Sequence, residues 1–219
     1  MEHWIHTEFP KIKRLAKRRG AEIFFGDEAG VRSDHHSGTT WAPRGKTPVV
    51  SSTGARFGFN MISAVSPQGS LRFMVVEGKV GAAKLIGFLK RLIHGVDHAV
   101  FLVVDGHPSH KAKMVKEYVA SLKGRLELFI LPGYSPELNP DEHVWNNLKN
   151  TLGRVRHETN DKMKRLAINH LRRLQKSPEL TLTLQTRSGK WYIRCVCPGG
   201  WETFWEFSKP HNKWGLPEH

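Results

Sequence analysis

Four acidic residues stand where strands and helices could bring them together: Asp27, Asp105, Asp141 and Glu142. "IFFGDEAG" delivers Asp27 at the end of one apolar run and "FLVVDGHPSH" delivers Asp105 at the end of another. "LNPDEHVW" opens a helix with Asp141 and Glu142 side by side. Unpaired carboxylates so close would repel and raise one another's pKa, so such a cluster makes sense when cations occupy it. Hard oxygen ligands suit Mg²⁺ or Mn²⁺, which keep water and phosphate in their remaining coordination positions. Each acid also has a plainer reading. Aspartate before glycine is ordinary turn chemistry. Asn139 suits a helix N-cap, Pro140 the first helical position, and acids in a first turn favour the positive end of the helix dipole. A Glu three residues after the cap can also reach back to the cap's own N–H.

The elements that must position these acids follow from periodicity. "AEIFFG" (21–26) reads as a short buried strand ending at Asp27. "TPVVSS" (47–52), "ARFGFNMISAVS" (55–66) and "SLRFMVVEG" (70–78) follow, separated by short turns, and suggest antiparallel hairpins. Leu85, Phe88, Leu89 and Leu92 then recur with helical spacing. "AVFLVV" (99–104) is a continuous apolar run, as expected of a central strand covered on both faces. Val115, Tyr118, Val119 and Leu122 mark a second amphipathic helix with Ser109 as its expected cap, and "LELFIL" (126–131) is another strand. The order predicts an α/β fold: a mixed sheet of antiparallel hairpins then parallel strands, with helices on both faces. Strand ends in such sheets are where sites are commonly built.

At about 100° per residue, the apolar stripe of Val144, Trp145, Leu148, Leu152 and Val155 has Asp141 near its centre and Glu142 on its flank. Helix geometry therefore leaves the choice between the two acids open.

Composition narrows the partners. The chain has 219 residues and a formal charge of +14, from 34 Lys and Arg against 20 Asp and Glu. That excess favours polyanions, with nucleic acid first and an anionic membrane surface second. The N-terminus lacks an apolar run of signal-peptide length, and "AVFLVV" is far short of a bilayer span. A cytoplasmic, nucleoid-associated protein without membrane contact is expected. Cys195 and Cys197 make no disulfide framework and, without a second pair, are weak evidence for a metal. Three segments are expected: a basic helical segment over 1–20, a catalytic domain over 21–180, and an aromatic-rich tail over 181–219.

"FFGDEAGV", "TWAPRGKTPVV", "VVDGHPSHKA" and "LPGYSPELNPDEHVWNNLK" together resemble the catalytic-domain motifs of bacterial DDE transposases of the mariner-type superfamily, in its insertion-sequence six-thirty branch. The resemblance covers about residues 4–180. It implies an RNase H-like fold and a metal-binding catalytic triad of Asp27, Asp105 and Glu142. Thirty-six residues separate Asp105 from Glu142, close to the short spacing of the superfamily. Members often carry an apolar residue where this chain has Asp141. That departure leaves Asp141 either near water at the sheet's end or assisting the metal site.

The activity so implied is two-metal phosphoryl transfer on DNA: hydrolysis at an element end, then attack of a 3′-hydroxyl on target DNA, with TA as the target dinucleotide. Two Mg²⁺ or Mn²⁺ ions and a homodimer in the synaptic complex go with it. Arg32, Arg44 and Lys46 are candidate phosphate contacts, His107 could lie near the scissile phosphate or simply order its loop, and Trp41 could stack on a base or pack. His107-x-x-His110 invites a zinc reading but lacks further ligands. Two other functions fit the same motifs: an RNase H-like nuclease that does not join strands, and a DNA-binding remnant without catalysis. Relatives of this branch carry a helix-turn-helix region ahead of the catalytic domain, where this chain has about twenty residues. A separate recognition polypeptide or a truncated copy is the expectation that follows.

Overall fold

The computed structural model describes residues 1–34, 43–46 and 56–186. The strand expected over 47–52, Trp41, both cysteines and the tail beyond residue 186 lie outside the described residues. The chain enters through a π-helical turn, Trp4–Glu8, and helix α1, Phe9–Arg19. Gly20 ends α1 in the left-handed conformation (φ 61°), its N–H turned back to the Ala16 and Lys17 carbonyls. Glycine adopts that conformation without steric cost, which explains why the basic helix stops there.

Three antiparallel strands follow: β1 (Glu22–Arg32), β2 (Gly58–Val65) and β3 (Leu71–Val76). Helix α2 (Ala82–Leu92) leads to β4 (Val100–Val104), a short helix α3 (Pro108–Lys111), α4 (Lys113–Ser121) and β5 (Leu126–Ile130). The sheet order is β3-β2-β1-β4-β5, with β4 parallel to both β1 and β5. Helices α5 (Asp141–Gly153), α6 (Asn160–Lys176) and α7 (Pro178–Thr186) complete the described chain. The mixed sheet expected from the run of hairpins then alternating elements is therefore present.

Alternation along β1 sorts its side chains between two layers, since successive residues point to opposite faces. Phe24 joins Ile62, Leu85, Phe88, Leu102 and Val115 in a core beneath α2 and α4. Phe25 packs with Phe9, Ile12, Phe101 and Val103 beneath α1. Ala29 and Val31 join Met61, Val144, Trp145, Leu148 and Leu171 beneath α5 and α6. Each fully buried residue of this size contributes roughly 1.5–3 kcal/mol of apolar transfer, which makes the sheet a rigid support. All five residues of β4 are buried, as its unbroken apolar run requires. No helix among the described residues is long and apolar enough to cross a membrane.

Three expectations need correction. β1 does not end at Asp27 but runs on to Arg32, because residues 25–32 pair with β2. Ser109 does not cap the helix bearing Val115. It lies inside α3, where Pro108 fixes the first turn and the His107 ring accepts from the Ser109 N–H. Val155 falls beyond α5 and is exposed, so the buried stripe ends at Leu152.

Candidate active site

β1 pairs with β4 only from Glu22↔Val100 to Phe25↔Val103. Continuing that register by two residues sets Asp27 level with Asp105, just past the end of β4. Asp27 thus lies mid-strand in β1 yet at the edge left where β4 stops. On its other side it pairs with Ser63 of β2.

The loop before α5 is tied to this edge. The Leu131 N–H donates to the Val104 carbonyl at 2.8 Å. The buried Asn139 amide donates to the Gly26 carbonyl at 3.1 Å, and its Oδ1 accepts from the Asp141 N–H at 3.1 Å. The Asn139 side chain thereby satisfies the first N–H of α5, while Pro140, expected as the first helical residue, takes the cap position just before the helix. A capping box would need Glu142 on the Asn139 N–H, but that N–H donates to the Pro136 carbonyl at 2.9 Å. Glu142 is half-buried, and its carboxylate makes no hydrogen bond or ion pair among the described residues.

Asp105 and Glu142 are each close enough to act electrostatically on Asp27. Burial pushes the Asp27 carboxyl up to about 7, and the negative charges of Glu142, Asp105 and Glu28 add to the rise. Asp141 is completely buried and does not stay near water. Its Oδ2 accepts from the Ser63 hydroxyl at 2.6 Å, while Oδ1 has no partner among the described residues. Burial, then the charge of Asp27, raises its pKa well above the ordinary carboxyl range.

Asp105 is held by the loop that follows it. Its Oδ1 accepts from the His107 N–H at 3.0 Å and lies 2.9 Å from His110 Nδ1. The buried His110 ring reaches Glu28 on its other side, with Nε2 3.3 Å from Oε1. Burial alone would lower the His110 pKa, but Glu28 and Asp105 outweigh it and raise it. Glu28 was not singled out by sequence reasoning, and His110 was weighed only as a zinc ligand, not as the partner of Asp105 and Glu28. Their signal was in plain view as the acid next to Asp27 and the second histidine of His107-x-x-His110.

The remaining candidates are placed as follows. His107 orders its own loop, its Nδ1 2.7 Å from the Ser109 hydroxyl. Arg32 ends β1 and forks onto Asp34, Nε to Oδ1 at 2.8 Å and Nη2 to Oδ2 at 2.6 Å. Arg44 and Lys46 are exposed in a turn closed by the Lys46 N–H on the Pro43 carbonyl at 2.9 Å.

Among the described residues no three His, Cys, Asp or Glu side chains are gathered tightly enough to hold a metal ion. The donor chemistry nevertheless suits a hard divalent cation. Asp27 retains a proton toward neutral pH chiefly because it is buried, with its negative neighbours adding to the rise, and a cation among them would take that proton's place.

Comparison with known proteins agrees with this architecture. A curated relative, the insertion element IS630 uncharacterized 39 kDa protein of Shigella sonnei, is 26% identical over 135 residues, which cover 60% of this chain and 39% of that one. Among solved structures, a pre-cleavage Mos1 transpososome matches with a TM-score of 0.57 at 18% identity, covering 84% of this chain and 62% of that one. The Mos1 strand transfer complex matches at 0.57 and 21% identity, over 87% and 62% of the two chains. The Mos1 mariner paired end complex with Mn matches at 0.56 and 20% identity, over 84% and 62%. The chain thus spans well under two thirds of its curated relative and shares the RNase H-like fold of these structures. The family model of the DDE superfamily endonucleases matches residues 22–164, and the chain belongs to that family.

Proposed function

We propose that this chain is a transposase catalytic domain that cuts DNA and joins the freed 3′ end to a target, using divalent cations held by Asp27, Asp105 and Glu142. The observation that carries the reading is the place of Asp27, level with Asp105 where β4 ends and raised to about 7 by burial, with the charges of Glu142 and Asp105 adding to the rise. The likeness to Mos1 complexes with transposon ends and with Mn supports the substrate and the cofactor class.

When bound, two Mg²⁺ or Mn²⁺ ions would lower the pKa of an attacking water and stabilise the leaving 3′ oxygen. The protein's part is positioning. Asn139 ties α5 to β1, which sets the direction of Glu142 from the first helical turn. The His107 N–H holds the Asp105 carboxylate at the end of β4, and His110 Nδ1, hydrogen-bonded to the Asp105 carbonyl at 3.0 Å, lies 2.9 Å from that carboxylate. Glu142, with no internal partner among the described residues, keeps both oxygens for a cation. Arg44 and Lys46 supply exposed positive charge for backbone phosphates, whereas Arg32 must first leave Asp34. A homodimer at paired ends and DNA recognition by a helix-turn-helix region or polypeptide complete this reading.

The test is Mn²⁺-dependent nicking of supercoiled DNA by Asp27→Asn, Asp105→Asn and Glu142→Gln, each checked to be folded by a cooperative melting transition. Activity should fall by at least about a hundredfold in each. Retention by Glu142→Gln with loss in Asp141→Asn would transfer the ligand role to Asp141. A pre-cut 3′ end supplied with target DNA separates transfer from nuclease action, since joined product appears only in the first.

A further inference from the structure

Tyr134 is fully exposed and holds a left-handed backbone (φ 54°) that side-chain-bearing residues rarely adopt. Loop looseness does not explain this, because the chain is pinned on both sides. Ser135 next to it is buried, and its carbonyl accepts from the Leu138 N–H at 3.1 Å. Leu138 is itself buried in the core beneath α1. The Ser135 hydroxyl donates to the Gly133 carbonyl at 3.3 Å and closes the turn, but nothing within the described residues covers the exposed ring.

The place of Tyr134 in the fold says what could cover the ring. Leu131, bonded to the Val104 carbonyl, stands beside the residue before Asp105. Tyr134 is three residues further on, and three residues span at most roughly 11 Å. Tyr134 therefore stands at the same end of the sheet as the acids, near where DNA bound to them would lie. On the neighbouring loop, the exposed Lys111 makes no ion pair among the described residues, and its Nζ lies 3.4 Å from where a Cβ on Gly106 would stand. An ammonium over Gly106, the residue after Asp105, suits a phosphate, and an exposed phenol ring suits the face of an unpaired base.

We infer that Tyr134 stacks on an unpaired base next to the cleaved phosphodiester and so gives the chain a preference for frayed or overhanging DNA ends. This rests on the proposed reading of DNA as the substrate. Stacking needs a base freed from its own duplex, so the effect is separable from general attraction to the backbone.

The test uses the full chain in Ca²⁺, with fluorescent duplexes that are either blunt or carry a short 3′ overhang containing 2-aminopurine. The wild-type chain should bind the overhang more tightly and quench its fluorescence. Tyr134→Ala should lose about five- to a hundredfold in overhang affinity while keeping blunt-end affinity, and Tyr134→Phe and Tyr134→Trp should restore the preference. Equal overhang preference in Tyr134→Ala, or none in the wild type, overturns the inference. So does a change in sedimentation of Tyr134→Ala without a change in overhang binding, which would assign the ring to a protein contact. Cleavage in Mn²⁺ is scored separately, so a chain that stacks but does not cut fails the proposed function and not this inference.

Discussion

The Asp141 carboxyl accepts a 2.6 Å hydrogen bond from the Ser63 hydroxyl, and both side chains are sealed from solvent between α5 and β2. Two adjacent acids therefore have opposite fates. Asp141 is taken inward by β2, and Glu142, about 100° further round the helix, is left without an internal partner among the described residues.

Asp141→Asn should stabilise the metal-free chain at alkaline pH. The folded-state pKa of Asp141 is raised well above the ordinary 3.8, so folding takes up a proton wherever the unfolded carboxyl is already ionised. That cost grows as pH rises above 3.8 and is absent in the amide. At low pH the protonated acid and the amide each leave a donor poorly satisfied, so their stabilities should converge. Urea midpoints at pH 4 and pH 8 check this, with a gain on the order of 1–3 kcal/mol at the higher pH. Equal midpoints at both pH values would show that the acid is not held neutral.

Asp27 should couple stability to divalent cations in the same pH range. Below about 3.8 both states hold its proton. Between 3.8 and about 7 only the folded state does, so stability falls with rising pH and the loss is complete above 7. A cation that replaces the proton should stabilise the chain most where the proton is hardest to keep. Mn²⁺ should therefore raise the melting temperature more at pH 8 than at pH 5, and Asp27→Asn should reduce that difference. An equal shift at both pH values would argue against cation binding at Asp27.

His110 shifts stability in the same direction, through a contribution that fades rather than a cost that grows. Its pKa is raised above 6.5, so its contribution is fully present below 6.5 and is lost as pH rises through the folded value. His110→Gln should be destabilising below pH 6.5 and progressively less so above it. Cleavage should also fall, since Asp105 loses the ring bonded to its carbonyl and 2.9 Å from its carboxylate. Melting curves across pH 5.5 to 8 separate this from a simple packing loss, which would not vary with pH.

The legible parts of the fold were those with local causes. Apolar runs gave β4 and β5, helical spacing gave α2, and Asn139-Pro140 located the start of α5. The length of β1 was hidden because "GDEAG" has turn chemistry, and only pairing with β2, from Phe25↔Val65 to Arg32↔Gly58, holds it extended. The partners of the acids were hidden for the same reason. Nothing local to Ser63 announces Asp141, and His110 meets Glu28 only after β1 and β4 lie side by side. An aspartate at the centre of an apolar stripe was readable as an anomaly, but whether it faced water or a hydroxyl depended on a strand 78 residues away.

Asn139 joins the capping of α5 to the placement of its acids, and that makes it separable from an ordinary cap. Its Oδ1 satisfies the Asp141 N–H, worth about 1 kcal/mol in a typical N-cap. Its Nδ2 satisfies the Gly26 carbonyl, which otherwise would be left unpaired by that side chain in a buried setting. Asn139→Ala should therefore cost about 2–3 kcal/mol, more than a cap alone. Asn139→Asp keeps the acceptor for the Asp141 N–H but loses the donor to Gly26, so it should retain the helix while loosening its tie to β1. If that tie directs Glu142, Asn139→Asp should need more Mn²⁺ for half-maximal cleavage, with the helical circular-dichroism signal unchanged. Unaltered Mn²⁺ dependence would make Asn139 a cap and no more.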